Sequence, residues 1–337
     1  MRSERLGFVA FFVSLFVAGC AGPQVQSVAP VQNRSADVLL IRTGGTLEIT
    51  ETKTPVLDGV LNDECWKLCD KADNFSLNSG AGLPEKATTA YICRDAVNLY
   101  IAYECKDDKL DKLVAVSKSP EGESVWMDDC VEIFIDTKHD HLTYYHFMVN
   151  CVASKAGSRK IKDSWGDAAP DEDFVPKWEA KTGRTADAWT IEIAIPWATL
   201  GMTPKAADMI GINLNRERKT VPENPCWCCT FGGFHKPENF GQATFSGRKV
   251  YLNNAALRNA GDKEEKVAVK IKNVNEASKK ETVKDLQLTL GAKTEQKVDI
   301  FGLVKEAEKG VNKITISLSD TAGKTVLAEE TFQFENK

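Results

Sequence analysis

Residues 125–136 read Val-Trp-Met-Asp-Asp-Cys-Val-Glu-Ile-Phe-Ile-Asp. A tryptophan and an acidic pair lead into an alternating run. The two-residue period of a strand puts Val131, Ile133 and Ile135 on one face and Cys130, Glu132 and Phe134 on the other. A carboxylate and a ring on one face, with Trp126 just upstream, make a floor for a small polar ligand with an apolar side. The bland alternatives are a core tryptophan and a structural carboxylate. The cluster Asp128, Asp129, Glu132 and Asp136 also raises glycoside hydrolysis, which needs two carboxyl groups facing each other across a cleft. On one short strand with mixed facing they do not have that layout. Ca²⁺, which takes hard oxygen ligands, is a further candidate.

Cysteine is the second chemically active residue type. Ten are present, at 20, 65, 69, 93, 105, 130, 151, 226, 228 and 229. Setting Cys20 aside leaves an odd number, so they do not all pair internally. Cys226-Trp-Cys-Cys229 has the chemistry for a metal, a disulfide or a vicinal disulfide. With no second CxxC half nearby, zinc is weakly supported and buried or paired thiols are the preferred reading. Cys65 and Cys69 fall on one face of a short helix carrying Trp66, capped by Asn62 or Asp63, and read as core thiols.

The elements that position these groups are mostly strands. Ala87–Cys93 and Leu99–Cys105 read as a hairpin around Arg94-Asp95. The stretch 130–136 and Tyr144–Val152 pair across the turn 138–141. Antiparallel pairing with Phe147 and Val149 beside Ile133 and Val131 leaves His146, Met148 and Asn150 on the Glu132 face. It also puts Cys130 and Cys151 on opposite faces. Trp165 lies in an Asp- and Pro-rich loop. Trp178–Lys181, Ala188–Ile195, Ile210–Asn215 and Ala243–Phe245 read as further strands.

These pieces resemble carbohydrate-binding module family 9, a β-sandwich of the DOMON-like group. Pro55-Val-Leu-Asp-Gly59 with Asp63-Glu-Cys-Trp66 is similar to the family's opening. Asn98-Leu-Tyr-Ile-Ala-Tyr103 is similar to its early hairpin, and residues 126–136 to its signature strand. Trp189-Thr-Ile-Glu-Ile-Ala-Ile-Pro-Trp197 is similar to its late strand, and Phe234-His-Lys-Pro-Glu-Asn-Phe-Gly241 to its closing loop. The resemblance runs from about Leu47 to Val250. It implies a sugar held between two rings, Trp126 and Phe234, with Glu132 and Asn150 hydrogen bonding its hydroxyls. It also implies possible Ca²⁺ binding. Met148 stands where sugar-binding members place an arginine, whose forked, charge-assisted bonds a thioether cannot make; His146 or Arg216 would have to compensate. Related DOMON-like domains bind haem through Met and His, for which Met127, Met148 and His146 are the candidates.

The whole chain sets the context. It has 337 residues, is 42% hydrophobic and 27% charged, and carries a net charge of −5. No nucleic-acid or anionic-membrane footprint is visible in that balance. Arg2 and Arg5 precede an apolar run, Leu6–Ala18, that reads as a signal peptide over residues 1–20. Val17-Ala18-Gly19-Cys20 looks like a bacterial lipobox, which implies cleavage before Cys20 and lipid on its sulfur. Ala21, rather than Asp, favours the outer membrane. Residues 21–45 read as a tether and 46–252 as the family 9-like domain. After about Ala256 there is no Cys, Trp or His. The runs Lys266–Lys272, Leu286–Leu290, Lys297–Leu303, Lys313–Leu318 and Thr325–Phe334 there read as strands of a small immunoglobulin-like sandwich over 256–337. The expectation is an all-β, non-catalytic, membrane-anchored, extracytoplasmic carbohydrate-binding protein. It would take a mono- or oligosaccharide and support polysaccharide capture or catabolism beside glycoside hydrolases. The competing expectations are an interaction lipoprotein that kept the fold without the sugar site, and a haem module.

Overall fold

A computed structural model describes residues 34–336, apart from 36–37, 120–123, 163–167, 207, 249, 254, 260, 321 and 324. The expected signal peptide, with Cys20, and Trp165 lie outside the described residues.

Two antiparallel-rich sheets form the larger sandwich. The first has nine strands. Ala168–Pro170, Lys155–Lys162, Thr143–Asn150, Cys130–Asp136 and Met209–Glu217 lie side by side in that order. Pro225–Cys226 and Gly241–Thr244 then pair with different parts of Met209–Glu217, Ser76–Leu77 pairs with Pro225–Cys226, and Thr46–Glu48 adds in parallel to Gly241–Thr244. The second sheet runs Glu179–Arg184, Ala188–Pro196, Asn98–Lys106, Thr88–Arg94, with Thr50–Glu51 and Asp70–Ala72 beside the last. The expected register is observed: Val131 faces Val149 and Ile133 faces Phe147. Valines, isoleucines and aromatics at alternate positions of both sheets, including Val131, Ile133, Ile135, Ile101, Ile191 and Ile193, share one core. Cys151 is in that core and Cys130 is not, as the strand parity requires.

Glu192 ties three sequence motifs together. Its carboxylate, buried on the outer side of the second sheet, accepts from Trp66 Nε1 (2.9 Å) and from the backbone N–H groups of Asp58 (2.9 Å) and Gly59 (2.8 Å). The opening loop therefore lies flat on the strand Glu179–Arg184. A Cβ at Gly183 would stand 2.2 Å from the Gly59 carbonyl oxygen, so the approach needs glycine. Trp66 sits on the helix Glu64–Leu68, which begins after Asp63 as expected.

The second sandwich is smaller. Its five-stranded sheet runs Glu281–Leu290, Glu265–Asn275, Gly310–Ser319, Val326–Asn336, Ile41–Gly44. A three-stranded sheet, Val250–Asn253, Ala256–Asn259 and Glu295–Lys297, covers it together with the helix Phe301–Glu306. Two expectations are corrected here. The run 297–303 is a strand only at its start. Ile300, Leu303 and Val304 enter the core at the i, i+3, i+4 spacing of a helix, which outweighs the apparent alternation. The end of the expected tether, residues 41–44, is an edge strand of this sheet. Leu40 and Leu252 also belong to the second core, so the smaller sandwich draws residues from before and after the larger one.

Arg42 marks the junction. Its guanidinium, fully buried, donates to Glu330 Oε1 (2.9 Å) and to the Asp73 carbonyl (3.0 Å). It lies over Trp227 of one sandwich (5.6 Å) and Phe332 of the other (5.8 Å). Four residues later, Thr46 Oγ1 donates to the Glu329 carbonyl while its own strand belongs to the larger sandwich.

Candidate functional site

The exterior face of the nine-stranded sheet carries the polar set. Glu132 sits between Met148 and Asn215 in one cross-strand row. Its Oε2 is 2.6 Å from His146 Nε2, and both side chains are buried. The His146 ring stacks on Phe134 at 4.2 Å. Glu217, on the next row, lies close enough to the Glu132 carboxyl to interact with it and receives Lys219 Nζ at 2.6 Å. Burial, with the Glu132 charge adding to it, pushes Glu217 up to about 7 despite the lysine. Both amide atoms of Asn215 are buried without a protein partner.

Trp126 stands at one end of this face on a single 3-10 turn, Val125–Met127. The turn is held firmly. Val125 is buried, and the Asp128 carboxylate accepts from Val116 N (2.7 Å), Ser117 N (3.1 Å) and Asn150 Nδ2 (2.8 Å). The indole itself is 53% exposed. A large ring that the surrounding backbone positions but does not cover is a ready stacking surface.

The other three residues chosen from sequence are placed differently. Glu132 is on the face but already bonded to His146. Asn150 donates to Ser117 O and Asp128 and accepts from the N–H groups of Val152 and Ser154. Those four bonds fill the capacity of an amide, so it shapes the Asn150–Ser154 turn instead of facing a ligand. Phe234 is only 6% exposed, packed with Phe134 (6.3 Å, edge-on), Tyr144, Phe240, Cys226 and Cys229. Arg216, a possible substitute for the missing arginine at Met148, is opposite Val131 and so on the core side. There it binds Asp107 (2.8 Å) and lies over Trp189.

Sequence reasoning missed Asn215, Glu217 and His235. The first two alternate along Met209–Glu217 with the core residues Ile212 and Leu214, so the same parity argument would have found them. His235 lies edge-on to His146 at 4.9 Å, with Nδ1 2.8 Å from Tyr144 Oη. Desolvation by the packing around the ring, then the neighbouring His146, holds it down to about 4.

The acidic cluster is not a catalytic pair. Asp129 accepts from Val114 N and Lys219 N, and Asp136 from the backbone of the 138–141 turn. With Asp128 also bonded to backbone, the carboxylates act as anchors. Among the described residues no group of three or more His, Cys, Asp or Glu is placed to hold a metal ion. A haem iron would have to displace His146 from Glu132 and Phe134. A cleft of about 770 Å³ opens elsewhere, between Pro55, Tyr100, Lys155 and Trp178, and none of the four sequence-chosen residues lines it.

Fold and exterior face define a β-sandwich binding module. The chain belongs to the carbohydrate family 9 binding domain-like family, which residues 57–248 match, more than half of its length. It is 26% identical over 203 residues to endo-1,4-beta-xylanase A of Thermoanaerobacterium saccharolyticum, a match covering 58% of this chain and 16% of that enzyme. Among solved structures it is similar to a family 9 carbohydrate-binding module from Caldicellulosiruptor kristjanssonii in complex with cellotriose. That likeness has 17% identity and a TM-score of 0.44, and covers 60% of this chain and 94% of the module. The glucose complex of a module from the same organism gives 17% identity, a TM-score of 0.43 and coverage of 62% and 99%.

Proposed function

We propose that this protein is a membrane-anchored, extracytoplasmic module that holds a mono- or oligosaccharide on the exterior face of its nine-stranded sheet, in support of polysaccharide capture or catabolism. Family membership supports the ligand class. One observation carries the site: Trp126, half exposed on a rigid turn, at the end of a face whose polar groups are Glu132, Glu217 and Asn215. The ring stacks on the sugar's C–H face, and the carboxyl and amide groups take its hydroxyls. Phe234 backs the face through Phe134. The anchor rests on the lipobox at Cys20, and glycoside hydrolases are the partners that would use a captured glycan. Calorimetry against a panel of neutral sugars, on the wild type and Trp126→Ala, tests the site. Binding lost in a folded Trp126→Ala protein is the expected result. The second reading, an interaction lipoprotein, is favoured by the buried position of Phe234 and by Met148 in place of arginine. Absence of sugar binding by folded wild type would establish it.

A further inference from the structure

Cys226 and Cys229 are a pair apart from the other thiols. Both lie in the aromatic cluster with Phe134, Tyr144, Phe234 and Phe240. Cys228, between them in sequence, points the other way into the main core with Trp227. Cys65, Cys69 and Cys93 contact one another in a separate cluster. The Cys226 and Cys229 side chains pack in this one cluster and interact electrostatically. Their backbone is fixed on both sides: Cys226 pairs with Asn215 and Ser76, and Cys229 N donates to the Arg42 carbonyl at 2.9 Å. The two side chains therefore enter one cluster from the ends of a turn whose backbone is held on both sides. This turn is the root of the loop that carries Phe234 and His235 over Phe134 and His146.

We propose that Cys226 and Cys229 form a dithiol–disulfide site, oxidised by a small disulfide of the glutathione class, whose bond fastens the root of that loop. Cys229 is the attacking sulfur. The neighbouring Cys226 thiol holds it down to about 7, whereas burial pushes Cys226 up. Both cysteines are fully buried. The Cys229 S–H donates to the Asn78 carbonyl (3.4 Å) and the Leu77 carbonyl (3.7 Å), and a Cβ at Gly80 would stand 3.6 Å from its sulfur, so the segment 77–80 packs over it and must open to admit the oxidant. In the first step the Cys229 thiolate attacks one sulfur of the oxidant and expels the other half as a thiolate. In the second, Cys226 loses its proton and attacks the Cys229 sulfur, expelling the remaining half. Two protein thiols become one disulfide and the oxidant becomes two thiols, so two electrons pass to it. The closed ring is short, so the effect is on the loop and not on global stability.

The test uses the full chain, equilibrated natively across ratios of reduced to oxidised glutathione. It is then quenched with acid, alkylated in denaturant and mapped by mass spectrometry. A Cys226–Cys229 linkage that accumulates with oxidised glutathione and reverses with reduced is the expected result. Amide exchange at residues 231–236 should be several-fold slower in the oxidised form. Both thiols alkylated at every ratio overturns the proposal, and so does a linkage through Cys228 in place of this one. In Cys226→Ser, glutathione should be trapped on Cys229; trapping on Cys228 overturns the assigned order. Should that variant not fold, the wild-type map alone decides. Sugar affinity enters none of these readouts, so the result stands apart from the binding proposal.

Discussion

Removal of the Arg42 side chain should weaken both sandwiches at once. The guanidinium is fully buried, paired with Glu330 at 2.9 Å, bonded to Asp73 O at 3.0 Å and stacked between Trp227 and Phe332. Arg42→Met keeps most of the volume and removes the charge. Glu330 retains the N–H of Ala255 (2.9 Å) but loses the cation that balances it. Breaking one side of a buried ion pair costs about 3–5 kcal/mol. Against a typical total of about 5–15 kcal/mol, that is a large fraction. The double variant Arg42→Met/Glu330→Leu should recover at least half of the loss, because no lone charge remains. Denaturation in urea, followed by tryptophan fluorescence and far-UV circular dichroism, reads the cost. As a control, Lys67→Ala, which breaks an exposed pair with Glu64, should change stability by less than about 0.5 kcal/mol. An Arg42→Met protein within about 1 kcal/mol of wild type would refute the reasoning, as would a double variant no better than the single.

Sugar binding should be weak, with a Kd of roughly micromolar to millimolar, or about −4 to −8 kcal/mol. Trp126→Ala should remove about 1–3 kcal/mol of that while costing less stability than Trp66→Ala, a buried ring whose loss costs about 3–5 kcal/mol; thermal melts beside calorimetry separate the two effects. Glu132→Gln should weaken binding with the fold retained, seen in the same titrations. Glu217 gives a pH dependence: its carboxyl is raised from 4.5 to about 7, so the folded form binds the extra proton in that window. Stability relative to Glu217→Gln should therefore be highest below pH 4.5 and fall by about 3 kcal/mol as pH rises through 7; a difference that grows with pH instead refutes the shift. Proteolytic nicking in the exposed stretch 262–264 should leave the two pieces together on native size exclusion and separate them only in denaturant, because Ile41–Gly44 stays paired with Val326–Asn336.

The sheet architecture was legible because it rests on periodicity. Val131, Ile133 and Ile135 alternate cleanly, and a one-residue slip would expose all of them, so sequence fixes facing and register together. The motif pieces were legible for a reason other than ligand binding: Gly59 and Trp66 both donate to Glu192, more than a hundred residues further on. Side-chain occupancy was not legible. Parity puts Asn150 on the Glu132 face, yet parity does not say that Asp128, Ser117, Val152 and Ser154 take every bond it can make. Phe234 is similar: a ring in a glycine-flanked loop reads as exposed, and only the positions of Phe134 and Tyr144 show that it is covered. The helix at 301–306 was hidden because a short apolar run fits periods of both 2 and 3.6.

The strand Ile41–Gly44 has a consequence for how the molecule comes to be folded. Its bond from Arg42 to Glu330 joins residues 288 positions apart. Such contacts make folding slow, because a very long loop must close before they form. During synthesis at ~5–20 residues per second, roughly tens of seconds separate the emergence of Arg42 from that of its partner. Until then Arg42 lacks its Glu330 partner, and the edge of the last sheet has nothing to meet. The larger sandwich can collapse early, but it cannot be finished before the smaller one. The nascent chain therefore presents an open strand edge and an apolar seam for most of its making, the interval in which it most needs a chaperone.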